Sequence, residues 1–308
     1  MKHDDNYIKQ TESEPDERRR HWKTAVGLQK VDGLTPSKYL LETAQSNIDG
    51  EITITEAERL ITEYYELNPP ATDDEKRTEE ADKVSLRIAE ILSGRAFKLS
   101  PVELLSIHRR LFDGIYDFAG KIREYNISKK EWVLNGDTVT YDDYHTVRES
   151  LDYDIDKEKN FDYSKLDPRA AALHIAKFVA DLWQIHAFGE GNTRTIAVFT
   201  IKYLRAFGYD VTNDTFENNS WYFRNALVRA NYNDHRRNIT ATPVYLNRFF
   251  ENLLFDEHNE LKNRELHIGV AEEAVPSVHD AILADKEARR NQPPQPPASG
   301  KGKDDPAH

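Results

Sequence analysis

Residues 164–210 read SKLDPRAAALHIAKFVADLWQIHAFGEGNTRTIAVFTIKYLRAFGYD, and this stretch decides the fold. Its first part repeats apolar residues at helical spacing between Leu173 and Trp183, which predicts an amphipathic helix with one wide apolar face. Its last part is apolar on nearly every face from about Ile196 onward, which is typical of a central, buried helix. A short glycine-containing loop, HAFGEGNTRT, lies between them at residues 186–195. Two such helices in succession predict an all-α core.

The pattern stays helical on the N-terminal side of this stretch. Asp16 is a candidate cap for a first helix, and Gly33 is a candidate stop for it. Thr55 followed by Glu58 fits a capping box at the start of a third helix. A Ser-Pro pair at residues 100–101 marks a further helix start, because proline is favoured at the first helical position.

The period of the apolar residues changes over residues 121–144. Alternating apolar and polar residues flank Asn135-Gly136 there, and Asn-Gly between two such runs is a strong signal for a tight hairpin turn. We therefore expect an all-α protein with one β-hairpin at about residues 127–141.

Composition and helix patterns divide the chain into six parts. The N-terminus is polar, residues 68–77 are rich in proline and charge, and the last residues combine proline with charge in a way that is typical of disorder. We expect a disordered N-terminus (1–14), a small helical segment (15–66), a linker (67–77), the main helical domain (78–256), a C-terminal helical extension (257–290) and a disordered tail (291–308).

Charge and hydropathy exclude several classes of protein. The formal net charge of −12 argues against broad binding to nucleic acid. The short basic runs ERRRHWK and NDHRRN leave a DNA-binding regulator only as a weak alternative. The chain has no cysteine, and we find no run of 18 apolar residues and no signal peptide. We expect a cytoplasmic protein with no direct nucleic-acid or membrane partner.

The loop at residues 186–195 holds the pieces of a phosphoryl-transfer site. Its glycines let the backbone turn, and the unpaired N–H groups that open the next helix favour an anion such as phosphate. His186 could accept a proton, Glu190 could bind Mg²⁺, and Arg194 offers a fixed positive charge. The residues alone leave simpler interpretations open, with His186 as a helix cap and Glu190 and Arg194 as a surface ion pair.

The spacing His-x-Phe-x-Glu-Gly-Asn-x-Arg at residues 186–194 resembles the HxFx(D/E)GNGRxxR signature of Fic-domain proteins. The resemblance covers roughly residues 78–256, and FAGKIRE at residues 118–124 is similar to the approach to the family's flap. It implies a Fic-fold helical bundle whose hairpin lays a target segment beside the site by strand addition. The residues that it places in this target-docking flap are Trp132, Val133 and Leu134.

The resemblance implies a protein adenylyltransferase, which moves AMP from ATP to a Ser, Thr or Tyr hydroxyl of a target protein. It implies that His186 deprotonates the hydroxyl, that Phe188 anchors the loop, and that Glu190 binds Mg²⁺ between the phosphates. Arg194 would steady the β- and γ-phosphates. The anion nest would consist of Gly191, Asn192 and Thr193.

Three positions depart from the family pattern. Ala187 replaces the usual proline, Thr193 replaces a glycine, and Ala197 replaces the second arginine, which normally clamps the γ-phosphate. Candidates for a replacement cation are Arg229, Arg236 and Arg237. The departures leave two alternatives: a degenerate Fic-fold protein-binding module, or a Fic enzyme that uses another phosphate-containing donor.

The helical segment at residues 15–66 resembles a small antitoxin of the VbhA type fused in front of the domain. Such antitoxins inhibit the enzyme through a helix with an (S/T)xxxE(G/N) motif. The stretch AVGLQKVDGLTP, at residues 25–36, places Asp32 and Gly33 at the Glu and Gly positions. We expect the segment to obstruct the nucleotide site, with Asp32 facing Arg194. The alternative is a packed helical subdomain without a regulatory role.

The family resemblance also suggests partners. Bacterial DNA topoisomerases are the suggested class of target, and the protein could also associate with or modify itself. Thr138, Thr140 and Tyr141 are candidate self-modification sites.

Overall fold

The computed structural model describes residues 13–211 and 214–269, and the predicted all-α class is confirmed. Three short 3₁₀ turns accompany the α-helices, at Gln29–Asp32, Trp132–Leu134 and Tyr163–Lys165. The helices of the described residues are α1 (Pro15–Leu28), α2 (Lys38–Asp49), α3 (Ile54–Leu67), α4 (Asp73–Ser93), α5 (Pro101–Phe112), α6 (Val147–Lys159), α7 (Pro168–Ile185), α8 (Asn192–Phe207), α9 (Thr215–Ala230), α10 (Val244–Phe255) and α11 (Asn263–Leu266).

The predicted β-hairpin is wrong, although the chain reverses where the sequence indicates. Asn135 and Gly136 both have positive φ, at 56° and 84°, but residues 127–141 contain no strand. The Glu131 carbonyl accepts bonds from two N–H groups of the turn, and its own N–H donates to Asp137, so the backbone closes a compact turn instead of a ladder. Val133 and Leu134 are adjacent and both wholly buried, whereas a hairpin with one face in solvent would bury only alternate residues.

Most helix starts lie close to the predicted positions. Ser100 caps α5, and its Pro101 occupies the first turn as expected. The capping box of α3 is formed by Thr53 and Glu56, so the prediction that Thr55 and Glu58 form it is wrong by two residues. The first helix begins at Pro15, and Asp16 lies within its first turn without capping it, so the predicted cap is wrong. Gly33 ends the 3₁₀ turn after α1 in the left-handed conformation.

The predicted linker at residues 67–77 overlaps the start of α4. A Thr72–Glu75 capping box opens that helix at Asp73. The two Asp residues and one Glu in its first turn interact favourably with the positive end of the helix dipole, which stabilises this helix start. The connection between α3 and α4 is therefore confined to residues 68–72.

Helix α8 occupies the centre of the fold. All its residues from Asn192 to Leu204 are buried, and it packs against α4, α5 and α7. Helix α1 lies between α4 and α9 and buries Trp22, Ala25 and Leu28. The backbone of Gly27 lies so close to Glu217 of α9 that an added Cβ would be 2.4 Å from its Cα. The N-terminal segment is thus part of the main core.

Several predicted parts lie outside the described residues. These are most of the disordered N-terminus (1–14), most of the C-terminal helical extension (257–290) and the whole tail (291–308). Within the described ranges, none of the helices combines the length and the apolar character needed to cross a bilayer.

Candidate active site

The loop between α7 and α8 begins with a backbone conformation that is unusual for a residue other than glycine. His186 ends α7 in the left-handed conformation (φ 50°, ψ 58°), which few residues other than glycine adopt. Arg123, from the segment before the flap, fixes this bend. Its Nε donates to the His186 carbonyl at 2.8 Å, and its backbone N–H donates to the Ala187 carbonyl at 2.9 Å. The strained turn is therefore braced on its outer side.

The side chain of His186 is buried, with 7% of the residue exposed. Burial and the positive charge of Lys129 hold its pKa well below 6.5, so the imidazole is neutral at pH 7. Its Nδ1 lies 3.3 Å from the Trp183 carbonyl. We infer from this contact that Nδ1 carries the hydrogen, because a carbonyl can only accept. Nε2 then has a free lone pair, as a general base requires.

A second histidine, His108, anchors the loop. It is fully buried and stacks on Phe188 with ring centroids 3.7 Å apart. Its Nδ1 accepts the Gly120 N–H at 2.8 Å, so Nε2 carries the proton and donates to the Glu190 carbonyl at 3.0 Å. Burial lowers the pKa of His108 to about 4. The predicted anchor Phe188 is itself buried, while the role of His108 was missed, because a lone histidine on an apolar face gives no distinctive signal.

The side chain of Asn192 closes the loop on itself. Its Oδ1 accepts the Phe188 N–H at 3.0 Å and its Nδ2 donates to the Phe188 carbonyl at 2.8 Å. Thr193 accepts a hydrogen bond from Trp183 Nε1 at 3.0 Å. Both side chains thus shape the loop, which leaves the backbone as the part of the nest available to an anion. At Gly191, with φ 76°, an added Cβ would meet the Phe112 ring at 2.4 Å.

The N-terminus of α8 has no side-chain cap. In contrast, α2, α3, α4, α5 and α7 each begin with a Ser, Thr or Asp whose side chain accepts a first-turn N–H. Within the described ranges, only α8 among the uncapped helices has its first three residues all buried. A buried helix end without partners is unfavourable, and its aligned N–H groups are suited to an anion.

Arg194 is fully buried and surrounded by partners. Its Nε lies 2.7 Å from Asp32 Oδ2 as an ion pair, and its Nη2 donates to Glu80 at 2.6 Å. Its Nη1 donates to Gln29 at 3.2 Å. Burial alone would lower the pKa of Arg194, but the neighbouring acidic groups outweigh it and raise that pKa above its usual value. The expectation that Asp32 faces Arg194 agrees with this ion pair, while its inhibitory role and that of Gly33 stay predictions.

A cavity of about 370 Å³ opens beside the partners of Arg194. Glu80 and Tyr116 line it, together with Arg77 and Lys83. The Tyr116 hydroxyl donates to Glu80 at 2.7 Å. The cavity gives a charged ligand space on the α4 side of the cluster.

Glu190 is the acidic residue closest in sequence to His186, the proposed base. Its Oε1 lies 3.6 Å from the Nζ of Lys129, whose charge also acts on His186. In the part of the chain that the structure describes, no three His, Asp or Glu side chains are grouped as a metal site. One carboxylate suits Mg²⁺ when phosphate oxygens and water complete the shell, so the residues present fit a magnesium–nucleotide complex.

The three predicted flap residues do not share one exposed face. Val133 and Leu134 are buried in the core, and Trp132 packs edge-on against His267. The Val133 carbonyl accepts the Ile268 N–H at 2.8 Å. Target docking by this segment stays a prediction, and it would have to use backbone on either side of the 3₁₀ turn.

The structure offers little support for two of the three candidate replacements of the second arginine, Arg236 and Arg237. Arg237 is bound to Asp137 and Asp234 at the surface, and Arg236 is exposed. Arg229 lies in the last turn of α9, where the helix dipole favours a cation, and its buried Nε and Nη1 have no hydrogen-bond partner among the described residues. Ala197 itself is fully buried.

Comparisons with known proteins agree with the sequence motif. Residues 98–204 match the model of the Fic/DOC family. The protein adenylyltransferase VbhT of Bartonella schoenbuchensis is 27% identical over 146 residues, which are 45% of this chain and 29% of that protein. "Probable protein adenylyltransferase y4lH" of Sinorhizobium fredii is 28% identical over 139 residues, 41% of this chain and 62% of the relative. This chain therefore spans less than two thirds of either relative.

One solved structure was also found to be similar. It is the N-terminal Fic domain of the Bep8 protein from Bartonella sp. 1-1C, with a TM-score of 0.43 and 17% identity. The superposition covers 61% of this chain and 88% of that one.

Proposed function

Because residues 98–204 form a Fic/DOC-family domain, we propose that the chain is a protein adenylyltransferase restrained by its own N-terminal segment. The substrates are ATP and a Ser, Thr or Tyr hydroxyl of a target protein. The products are the adenylylated target and pyrophosphate.

One observation supports this proposal above the others: a neutral imidazole ends α7 directly before the loop that leads into a buried helix start without a side-chain cap. His186 has a free Nε2, and the first N–H groups of α8 follow it by only six residues. A hydroxyl nucleophile and a phosphate would meet between them. The two chemical requirements of AMP transfer, a base and an anion site, thus come from one loop.

The transfer step balances with the groups at hand. His186 Nε2 takes the hydroxyl proton while the hydroxyl oxygen forms a bond to the α-phosphorus of ATP. The bond from that phosphorus to the β-bridging oxygen breaks, and pyrophosphate leaves with the electron pair. The N–H groups of Asn192 and Thr193 stabilise the charge on the α-phosphate, and Arg194 stabilises that on the leaving group. When bound, Mg²⁺ neutralises phosphate charge, and Glu190 is the residue to hold it.

The arrangement of Arg194 supports restraint by the N-terminal segment. Gln29 and Asp32 both bind its guanidinium. Arg77 of α4 donates to the Asp32 carbonyl at 2.9 Å and to the Gly33 carbonyl at 3.3 Å, which holds the segment in place. A phosphate can reach Arg194 only after these partners withdraw.

Point variants test the restraint better than deletion. Helix α1 contributes buried Trp22 and Leu28 to the common core, so removing it would expose a large apolar face. Asp32→Ala removes one carboxylate and leaves the packing of α1 intact. Asp49→Ala, at the exposed end of α2, is the matched control.

The experiment measures transfer of labelled AMP from ATP to proteins of a bacterial lysate and to the chain itself. We expect Asp32→Ala to raise the rate by about 10-fold or more, within the usual range of coupling between sites, and Asp49→Ala to leave it unchanged. Adding His186→Ala to Asp32→Ala should lower the rate by about 10³-fold. Undiminished transfer without His186 would overturn the proposed chemistry, and equal rates for Asp32→Ala and the wild type would overturn the restraint.

Ala197 favours a second candidate function, a Fic-fold module that binds proteins without transferring a group. Its methyl side chain cannot contact phosphate, so the terminal phosphates lack the usual second clamp. A chain of this kind would bind no ATP even after Asp32→Ala, as measured by calorimetry. Binding of a different phosphate-containing donor would instead indicate another group transfer. DNA topoisomerases remain the proposed class of target.

A further inference from the structure

A second buried arginine lies close to the loop. Arg224 of α9 is 4% exposed, and its Nη2 lies 2.7 Å from Oε2 of Glu131, a fully buried carboxylate. The guanidinium also lies over the ring of Trp221, 5.1 Å from its centroid. This pair has no counterpart in the sequence motif.

A short series of side-chain contacts connects the Arg224–Glu131 pair with His186, the proposed base. Tyr141 donates its hydroxyl to Glu131 Oε1 at 3.3 Å. The ring of Tyr141 lies 4.1 Å from that of His186. Arg224 is therefore separated from the imidazole by two side chains.

Helix α9 also packs against both segments that flank the site. It contacts the 3₁₀ turn Gln29–Asp32 on one side and the turn Trp132–Leu134 on the other. Arg224 thus lies on the helix that contacts both the restraining segment and the flap. The charges are close enough to interact: Arg224 contributes to the lowered pKa of His186 after burial and Lys129, and Asp32 helps to keep Arg224 charged against the effect of burial.

Stability gives little reason for this ion pair. Desolvation of two charges largely cancels their attraction, so a buried pair is seldom more stable than apolar residues of similar volume. The pair instead repeats the arrangement of Arg194, a buried guanidinium next to a carboxylate of the chain. Phosphate is the natural competitor for both carboxylates, because guanidinium binds either anion through the same paired N–H groups.

We propose that Arg224 supplies the second positive charge for the terminal phosphates of ATP, in place of the arginine missing at Ala197, and that Glu131 is its counter-ion when no nucleotide is bound. This inference rests on the proposed function. It predicts that Glu131 competes with the β- and γ-phosphates for Arg224, as Asp32 does for Arg194.

The test compares the affinities of ATP and AMP by calorimetry, with all variants built on Asp32→Ala. Glu131→Gln removes the competing charge, so we expect ATP to bind about 5-fold more tightly. Adding Arg224→Met to Glu131→Gln removes both charges without leaving a lone buried carboxylate, and we expect ATP to bind about 10-fold more weakly. AMP lacks the β- and γ-phosphates, so its affinity should stay within about twofold in both.

The control is Arg59→Met, which removes an exposed arginine paired with Glu63 within α3 and should leave ATP affinity unchanged. Thermal melting confirms that each variant is folded. If Asp32→Ala binds no ATP, the proposed function fails and this inference fails with it. If it binds ATP but Glu131→Gln and the double variant do not change the affinity, or change that of AMP equally, only the inference is overturned. If the double variant does not fold, an unchanged ATP affinity of Glu131→Gln alone overturns the inference.

Discussion

Two neighbouring helices begin in opposite ways. Helix α7 starts near the surface, where Asp167 accepts the Ala170 N–H at 2.8 Å and Pro168 occupies the first turn. Helix α8 starts in the interior at Gly191, without any side-chain cap. At the start of α7 a side chain of the protein accepts a first-turn N–H, whereas at the start of α8 no side chain does so, and an anion can bind these N–H groups instead. The contrast separates a structural helix start from a binding one.

Replacing Gly191, at the start of α8, should give the largest loss in the free energy of unfolding. Gly191→Ala combines a left-handed backbone with a Cβ 2.4 Å from the Phe112 ring, so we expect a loss of roughly 4 kcal/mol in the free energy of unfolding. Gly208→Ala, at the other end of α8, has φ 103° but no atom within 4 Å, and should cost roughly 1 kcal/mol. Urea unfolding of both variants measures the difference. Equal losses would show that contact with Phe112 does not hold the loop.

Lowering the pH should reduce the free energy of unfolding by nearly as much as Gly191→Ala does, because His108 anchors the loop that leads into α8. The pKa of His108 falls to about 4 in the folded protein because burial disfavours the charged ring, while an unfolded histidine has a pKa of about 6.5. The unfolded state therefore binds more protons between these values, so this contribution is complete above pH 6.5 and is lost as the pH falls toward 4. The total is roughly 3 kcal/mol.

Urea unfolding at pH 7, 5.5 and 4.5 measures this loss. His108→Gln should reduce the dependence on pH, because it removes the titrating ring. The control His258→Gln, at an exposed position, should leave the dependence as in the wild type. The same dependence on pH in all three proteins would contradict the role given to His108.

The smallest expected effect concerns α7. Asp167→Ala removes its cap and should lower the free energy of unfolding by about 1 kcal/mol, without changing ATP affinity in the Asp32→Ala background. Asp152→Ala, at an exposed position within α6, provides the comparison and should cost less. A loss of ATP binding on Asp167→Ala would mean that the two helix starts are not independent.

The sequence predicted the helices and the loop well because both depend on local patterns. The apolar period located α7 and α8, and the glycines, His186 and Asn192 located the loop. The hairpin failed because Asn135-Gly136 specifies a chain reversal, while strand pairing depends on which side chains find a buried place. Val133 and Leu134 both did, and a 3₁₀ turn resulted.

The residues of the candidate site that the sequence did not predict lie far from the loop in the chain. His108 and Arg123 contact the loop from other elements, and Arg224 is connected to it through Glu131 and Tyr141. Contacts of this kind leave no periodic trace in the sequence. The search for a replacement arginine among Arg229, Arg236 and Arg237 did not include Arg224 for the same reason. Motif spacing says which residues lie on one loop, but it carries no information about which side chains surround it.

The sequence by itself determined the order of the helices, the position of the loop and the chemical types within it, because periodicity, capping and turn residues act over a few positions. Only the tertiary structure decided that His186 is neutral, that the start of α8 is buried and that Gln29 and Glu80 join Asp32 around Arg194. Burial and charge contacts cause these three properties. They arise between residues far apart in the chain, and they exist only after the helices have packed.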